Sequence, residues 1–304
     1  MTLVFPSTGP LFFPVTPFDD ADEPALDVLE QHLESSLAHH PGAVFIACGT
    51  GEFHALSLAE YEAVVERGVR VTAGAVPVVA ATGGPLGHAR SCARAAARLG
   101  ADALLVMPPY LVSGSQNGLV AYVEAIAASS DLPVIVYHRG NAQFSAESIE
   151  RLLGNPRVIG VKDGVGDIAL AQLFVLAASR AGRPETLFFN GLLTAELSQL
   201  AFRGIGVPLY SSAAFAMAPE VATAWFRAYT DGDDATVLRL LDGFYAPLVR
   251  LRDAVPGYAV ALIKAGLELG GLRVGGVRAP LVAPTPEHRA ELERILAAGR
   301  ELVA

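Results

Sequence analysis

Short apolar runs alternate with longer amphipathic segments from the start of the chain to about residue 230. Within each run the apolar residues are consecutive, which is typical of parallel strands covered by helices on both faces. Most runs are bounded by Gly, Pro, Asp or Asn. The predicted strands are Leu11–Val15, Ala43–Ala47, Pro77–Ala81, Ala103–Met107, Pro133–Tyr137, Val158–Lys162, Leu187–Asn190 and Gly204–Tyr210.

The segments between these runs have helical periodicity, as in residues 26–40, 57–73, 85–101 and 190–204. Eight strand and helix units in about 230 residues fit a TIM (β/α)8 barrel, whose usual size is about 250 residues. The rival, a doubly wound sheet, would call for a glycine-rich turn after the first strand. Thr16, Pro17 and Phe18 stand there instead, so the pattern favours the barrel.

Beyond Asp231 the alternation stops and three helical patterns follow, in residues 234–255, 258–269 and 286–302. We therefore predict two parts, a barrel domain over residues 1–230 and a C-terminal helical extension over residues 231–304.

Composition narrows the range of partners and locations. The chain has 304 residues, of which 52% are hydrophobic, and a formal net charge of −9. No basic cluster suggests a nucleic-acid partner. The longest uncharged window, residues 103–123, is interrupted by Pro and Gly, which argues against a membrane span. Two cysteines and an N-terminus without signal-peptide features predict a cytoplasmic protein.

The strand Val158–Lys162 ends in a lysine, at the edge where barrel active sites form. A desolvated amine is costly unless it is paired or loses its proton, and a neutral amine attacks carbonyl groups. The structural alternative is an ion pair with Asp163 or Asp167. Strand alternation opposes the Asp163 pair, because neighbouring side chains point to opposite faces. Both roles for Lys162 remain open from these residues alone.

Tyr137 closes the preceding strand, and His138 and Arg139 begin the loop after it. A tyrosine there is either a core aromatic or a proton-transfer group. If the two strands are neighbours, their last residues lie about 5 Å apart, so the phenol can reach the amine of Lys162.

Other candidates follow the remaining strands. Gly49, Thr50 and Gly51 form either a carboxylate-binding loop or a plain tight turn. Asn190, Ser211 and Ser212 could bind substrate oxygens or cap the next helix. The histidines and cysteines show no zinc spacing, and no GxSxG motif is present, so we predict neither a metal site nor a serine hydrolase.

Several motifs together resemble the dihydrodipicolinate synthase and N-acetylneuraminate lyase superfamily, over about residues 8–290. Within it, the chain is most similar to the decarboxylating sugar-acid dehydratase branch. The motifs are GTGEFHALSLAEY, PPY, VIVYHRGNA, VIGVKDGVGD, LFFNGLLTAE and GYAVALIKAGLELGGLRVGGVRAPL. The resemblance implies a TIM barrel with a helical tail, assembled as a homotetramer, with no cofactor beyond a covalent lysine imine.

The resemblance also implies roles for the candidates. Lys162 would form the imine, Tyr137 would relay protons, and residues 49–51 would hold the carboxylate beside the ketone. Arg139 would contact the distal carboxylate of the substrate, and the rest of the substrate would contact Asn190, Ser211 and Ser212. The implied substrate is 5-dehydro-4-deoxy-D-glucarate, and the implied products are 2,5-dioxopentanoate, carbon dioxide and water.

Two departures bear on the choice of branch. The synthase and lyase branches generally carry two adjacent hydroxyl residues where this chain has Gly49 and Thr50, and Leu111 follows Tyr110 where the synthases have a second tyrosine. Both differences argue against a synthase. Two alternatives stay open: a class I 2-oxo acid aldolase or lyase, and a 2-oxo acid-binding barrel without catalysis.

Overall fold

The structure is a computed structural model, and it describes residues 9–304. Eight strands follow one another in chain order around a closed barrel, and the pairs with known register are parallel. The strands are β1 Leu11–Phe12, β2 Ala43–Ile46, β3 Val78–Thr82, β4 Ala103–Val106, β5 Val134–His138, β6 Val158–Asp163, β7 Leu187–Asn190 and β8 Leu209–Ser212. The predicted (β/α)8 barrel is therefore confirmed. The first eight residues, which the predicted barrel domain included, lie outside the described residues.

Helices follow the strands, and the sequence marks several of their beginnings. Ser57 and Glu60 form a reciprocal capping box at the start of one helix, and Ser115, Ser145, Asp167 and Thr285 cap others. The helices are α1 Leu26–Leu37, α2 Leu58–Thr72, α3 Leu86–Leu99, α4 Gln116–Ala127, α5 Ala146–Leu153, α6 Ile168–Arg180, α7 Gln199–Gly204, α8 Pro219–Asp231, α9 Asp234–Leu240, α10 Ala246–Arg252, α11 Tyr258–Leu269 and α12 Pro286–Glu301.

The described chain divides into two compact units. The first unit, Pro77–Ser211, contains β3 to β7 and most of β8, paired side by side in chain order, with α3 to α7. Nearly every residue of these strands is buried, as the consecutive apolar positions predicted.

The second unit contains the described residues up to Val76 together with Ser212–Ala304. Here β1 pairs with β2, and Leu11 lies opposite Ala43. Helix α1 packs on α2, α8 on α9, and α11 on α12. Trp225, the single tryptophan of the chain, is fully buried on α8.

The prediction for the eighth strand was wrong over its first residues. Gly204 is the last residue of α7, and Gly206 adopts a φ of 88° in the turn that follows. The run from Gly204 to Val207 is apolar enough to suggest a strand, but its two glycines serve a helix end and a turn. Strand β8 begins only at Leu209.

Helices fill most of the chain beyond Asp231, as predicted. The long pattern of residues 234–255 is divided into α9, a π-helical turn at Leu241–Tyr245, and α10. The boundary at residue 230 between a barrel domain and an extension stays a prediction. None of the helices within residues 9–304 has both the length and the apolar character needed to cross a bilayer.

Candidate active site

The two strand-end residues singled out from the sequence lie side by side. Tyr137 on β5 and Lys162 on β6 are direct partners in the parallel register. The Nζ atom of Lys162 lies 4.1 Å from the centroid of the Tyr137 ring, over its face. A cation at this position is attracted by the ring quadrupole. The predicted proximity of amine and phenol is confirmed.

Strand alternation separates Lys162 from the carboxylate beside it in sequence. The carboxylate of Asp163 accepts hydrogen bonds from the backbone N–H groups of Val165, at 3.0 Å, and Gly166, at 3.1 Å. Burial raises the pKa of Asp163 more than these hydrogen bonds lower it. Asp167, the other acidic neighbour considered, caps α6 through a 3.0 Å hydrogen bond from the N–H of Leu170.

Two glycines make room for the lysine and tyrosine side chains. A Cβ atom at Gly191 would lie 2.6 Å from Cγ and 2.8 Å from Cε of Lys162, and a Cβ at Gly164 would lie 2.8 Å from Cε2 of Tyr137. Real Cβ atoms do not approach other atoms so closely. Packing therefore requires a glycine at Gly164, in the KDG motif of residues 162–164, and at Gly191, in the NG motif of residues 190–191. Glycine spacing alone did not reveal this requirement.

The hydroxyl of Tyr137 has a defined orientation. It donates a hydrogen bond to the carbonyl oxygen of Gly191 at 3.0 Å and accepts one from Nη1 of Arg139 at 2.7 Å. Burial raises the pKa of this phenol. The positive charges of Lys162 and Arg139, and their hydrogen bonds, lower it by more than burial raises it, so the pKa of Tyr137 lies below its ordinary value.

Asn190 and Ser211 hold the loop after β7. The side-chain amide of Asn190 donates to the carbonyl oxygen of Ala195 at 3.1 Å and to Oγ of Ser198 at 3.0 Å, and its oxygen accepts from the N–H of Leu192. The Ser211 hydroxyl donates to the Asn190 carbonyl at 3.3 Å. These contacts fix the loop that begins beside Lys162 at Gly191, and the substrate-binding roles of both residues stay predictions.

The loop of Gly49, Thr50 and Gly51 belongs to the second unit. A Cβ at Gly51 would lie 3.0 Å from the Cα of Ala47, and the Gly51 carbonyl accepts a 2.7 Å hydrogen bond from Thr16. The close backbone approach expected of a glycine is therefore present at Gly51. The left-handed φ angles of this loop fall on Ala47, at 51°, and Glu52, at 56°.

Ser212, also in the second unit, accepts a hydrogen bond from the N–H of Phe215 at 3.2 Å. This hydrogen bond lies at the start of the short helix of Ala214–Ala216, whose N-cap residue is Ala213, so Ser212 is not the helix cap that the sequence allowed.

A buried ion pair follows the glycine loop, and sequence reasoning missed it. Oε1 of Glu52 lies 2.6 Å from Nζ of Lys264, with exposures of 0% and 2% for the two side chains. Oε2 of Glu52 accepts the backbone N–H of Arg278 at 2.9 Å, and Lys264 lies over the ring of Phe18. A lysine inside the otherwise apolar pattern YAVALIKAGLEL was the available signal.

Lys162 and Lys264 are the only lysines of the chain, and both are buried, at 5% and 2% exposure. Each amine therefore has a specific environment, one against a tyrosine ring and the other against a carboxylate.

His138 was expected in the loop after β5, but it is the last residue of that strand and is fully buried. Its Nδ1 accepts the N–H of Phe144 at 2.9 Å, and its ring packs edge-on against Phe174. Burial lowers the pKa of His138 to about 4, with Asp167 opposing the shift. Because it alternates with Tyr137, His138 faces the opposite side of the strand.

The parallel barrel and the amine held over a phenol ring at the end of two neighbouring strands define the class of this protein. It is a (β/α)8-barrel protein with a lysine-centred site at the carboxyl ends of its strands. Residues 6–299 match the Dihydrodipicolinate synthetase family, and the chain belongs to that family.

Relatives and solved structures of similar length agree with this assignment. The chain is 52% identical to a probable 5-dehydro-4-deoxyglucarate dehydratase 1 of Streptomyces coelicolor, over 99% of this chain and 95% of that protein. It is 40% identical to a 5-dehydro-4-deoxyglucarate dehydratase of Pseudomonas putida, over 95% of each chain. A crystal structure of dihydrodipicolinate synthase from Oceanobacillus iheyensis superposes with a TM-score of 0.88 at 26% identity, over 97% of each chain.

Proposed function

We propose that this protein is a decarboxylating dehydratase that converts 5-dehydro-4-deoxy-D-glucarate to 2,5-dioxopentanoate, carbon dioxide and water. The observation that carries the proposal is the buried amine of Lys162, 4.1 Å from the ring of Tyr137, in a chain so similar to relatives of that name. An imine-forming lysine needs a dry site and a nearby proton-transfer group, and this pair supplies both.

Lys162 attacks the ketone of the substrate, and loss of water gives a cationic imine at carbon 5. The imine nitrogen is the Nζ atom of Lys162, so the face of the Tyr137 ring that contacts Nζ also contacts this cation and stabilises it. The cation acidifies carbon 4, so that a proton leaves and an enamine forms.

The enamine expels the hydroxyl of carbon 3 as water, leaving an iminium conjugated with a carbon–carbon double bond. The distal carboxylate then loses carbon dioxide, and its bonding electrons move through the conjugated system to the imine nitrogen. Protonation and hydrolysis release 2,5-dioxopentanoate and return the amine. The cofactor of this route is the lysine itself, and no metal is needed.

Tyr137 moves protons in imine formation and elimination. Its hydroxyl is fixed by a donor and an acceptor, so its oxygen needs no reorientation before reaction. Residues 49–51 hold the carboxylate beside the ketone, and Asn190, Ser211 and Ser212 contact the rest of the substrate; these roles rest on the sequence.

We extend the proposal to assembly and location. The protein forms a homotetramer, as its family resemblance implies. It works in the cytoplasm, which agrees with two buried cysteines of the described chain, Cys48 and Cys92, that are not joined in a disulfide.

Borohydride reduction in the presence of 5-dehydro-4-deoxyglucarate, or of pyruvate, tests the proposal. We expect an intact-mass increase that maps to Lys162 rather than to Lys264, the only other lysine, together with carbon dioxide release from the sugar acid. Lys162→Ala and Lys162→Arg should lose both, the second variant keeping the positive charge without a nucleophile. A pyruvate adduct without carbon dioxide would indicate an aldolase, and the absence of any adduct would contradict imine chemistry.

A further inference from the structure

The arginine that follows β5 bends back over the tyrosine at the end of that strand. The backbone of Arg139 is fixed by two hydrogen bonds with Ala142, from the Arg139 N–H to the Ala142 carbonyl at 3.1 Å and in return at 2.9 Å. From this anchored position, Nη1 donates to the Tyr137 hydroxyl at 2.7 Å, and Cζ lies 5.7 Å from the ring centroid.

Gly164 gives this pair its space. A Cβ at Gly164 would lie 3.0 Å from the Tyr137 hydroxyl and 3.1 Å from Cδ of Arg139. The glycine of the KDG motif therefore accommodates the arginine and the tyrosine together, and a larger residue there would push both side chains away.

Within residues 9–304, Arg139 has no carboxylate partner, in contrast to Arg180 and Arg183, which form ion pairs with acidic residues in the same unit. A hydrogen bond from an ionised donor favours the charged form of its acceptor, here the phenolate form of Tyr137.

The other side chains around the phenol do not oppose this effect. Lys162 on β6 also lowers the pKa of the phenol, while Asp163 points to the opposite face and bonds to backbone N–H groups. The neighbouring strand β4 contributes only apolar residues to the ladder with β5. The Gly191 carbonyl accepts the phenol proton and so favours the neutral form, and the guanidinium of Arg139 acts against this single acceptor.

We infer that Arg139 is the positioning residue of Tyr137: it orients the phenol and stabilises its ionised form, so that the phenol can take up and return a proton. This role differs from the distal-carboxylate contact expected from the sequence. The inference rests on the proposed function, in which Tyr137 transfers protons. The reduced pKa of Tyr137 agrees with it.

The first test follows ionisation of Tyr137 directly and needs no substrate. Phenolate absorbance is titrated with pH in the wild type and in Arg139→Lys, Arg139→Met and Arg151→Met, each compared with the same protein carrying Tyr137→Phe. Arg151 is an exposed arginine bonded to Asn117 and serves as the matched control. The difference signal should move to higher pH by about one unit or more in Arg139→Met, by less in Arg139→Lys, and not at all in the control.

The second test separates positioning from substrate binding. Arg139→Met should lower kcat about 100-fold and shift the basic side of the pH profile with Tyr137, while KM changes little and the borohydride adduct of pyruvate at Lys162 persists. Arg139→Lys should recover part of kcat.

A higher KM with unchanged kcat and an unchanged phenolate titration would overturn the inference. It would indicate instead that Arg139 binds the distal carboxylate of the substrate. A wild type that forms no adduct and releases no carbon dioxide would refute the proposed function instead. The titration would still decide whether Arg139 controls the ionisation of Tyr137.

Discussion

Replacing Lys264 by methionine should destabilise the protein far more than replacing an arginine of similar reach at the surface. The amine of Lys264 is the ion-pair partner of Oε1 of Glu52, and both side chains are buried. Methionine fills similar space but leaves a buried carboxylate whose remaining contact is the backbone N–H of Arg278.

The magnitude follows from this burial. Removing one partner of a buried ion pair costs about 3–5 kcal/mol, because the other charge stays desolvated without compensation. The surface pair of Arg300 and Glu220, with exposures of 48% and 34%, is the matched control. An exposed pair contributes about 0–1 kcal/mol, so Arg300→Met should cost that much or less.

Urea unfolding followed by the fluorescence of Trp225, which lies in the same unit, measures both losses. All proteins are compared at one concentration, because assembly adds to the apparent stability. In the double variant Glu52→Gln/Lys264→Met the buried charge is gone, so its loss should be smaller than that of Lys264→Met alone.

Two results would refute this reasoning. A loss in Lys264→Met no larger than that in Arg300→Met would mean that the buried pair contributes nothing beyond a surface pair. A double variant as unstable as the sum of its two single variants would mean that the charges of Glu52 and Lys264 do not interact.

Three further predictions concern the site and its surroundings. Tyr137→Phe should slow turnover about 100-fold; a near-normal rate would make the tyrosine a packing residue. Gly191→Ala should abolish the borohydride adduct at Lys162, which the new Cβ would displace, whereas Gly87→Ala on an exposed helical position should leave it intact. The pKa of His138 is about 4 in the folded protein and about 6.5 in the unfolded chain, so the unfolded chain binds the proton first as the pH falls. The free energy of unfolding is therefore unaffected by His138 above pH 6.5 and decreases as the pH falls toward 4. The loss at pH 5 is about 2 kcal/mol. Urea unfolding at pH 7 and pH 5 should show a loss about 2 kcal/mol larger in the wild type than in His138→Gln. Buried His32, whose pKa burial lowers to about 3, contributes alike to both proteins. Equal losses in the two proteins would contradict the prediction.

The sequence was sufficient for the barrel and for the pairing of its central site residues. Consecutive apolar runs marked the strands, and neighbouring strands of a parallel barrel end at the same edge. The proximity of Tyr137 and Lys162 follows from that rule, and so does the separation of Lys162 from Asp163, because side chains alternate along a strand.

The partners of each polar side chain could not be predicted in the same way. Whether the amide of Asn190 turns toward a ligand or toward its own loop depends on the path of the chain through residues 191–198, which periodicity does not describe. The pairing of Glu52 with Lys264 joins residues distant in sequence, and no local pattern encodes it. Glycines such as Gly204 and Gly206, at the start of the eighth predicted strand, are typical of a strand boundary in sequence. In the structure Gly204 ends α7 and Gly206 lies in the turn that follows.

The burial of both lysines has a practical consequence for labelling. The folded protein presents no lysine side chain at its surface in residues 9–304, so reagents that acylate amines have no freely accessible lysine to modify. Modification of Lys264 would require the second unit to open, whereas modification of Lys162 would report access to the proposed active site. The relative rates at which the two lysines are acylated therefore provide a chemical measure of local opening, read from two peptides in a single digest.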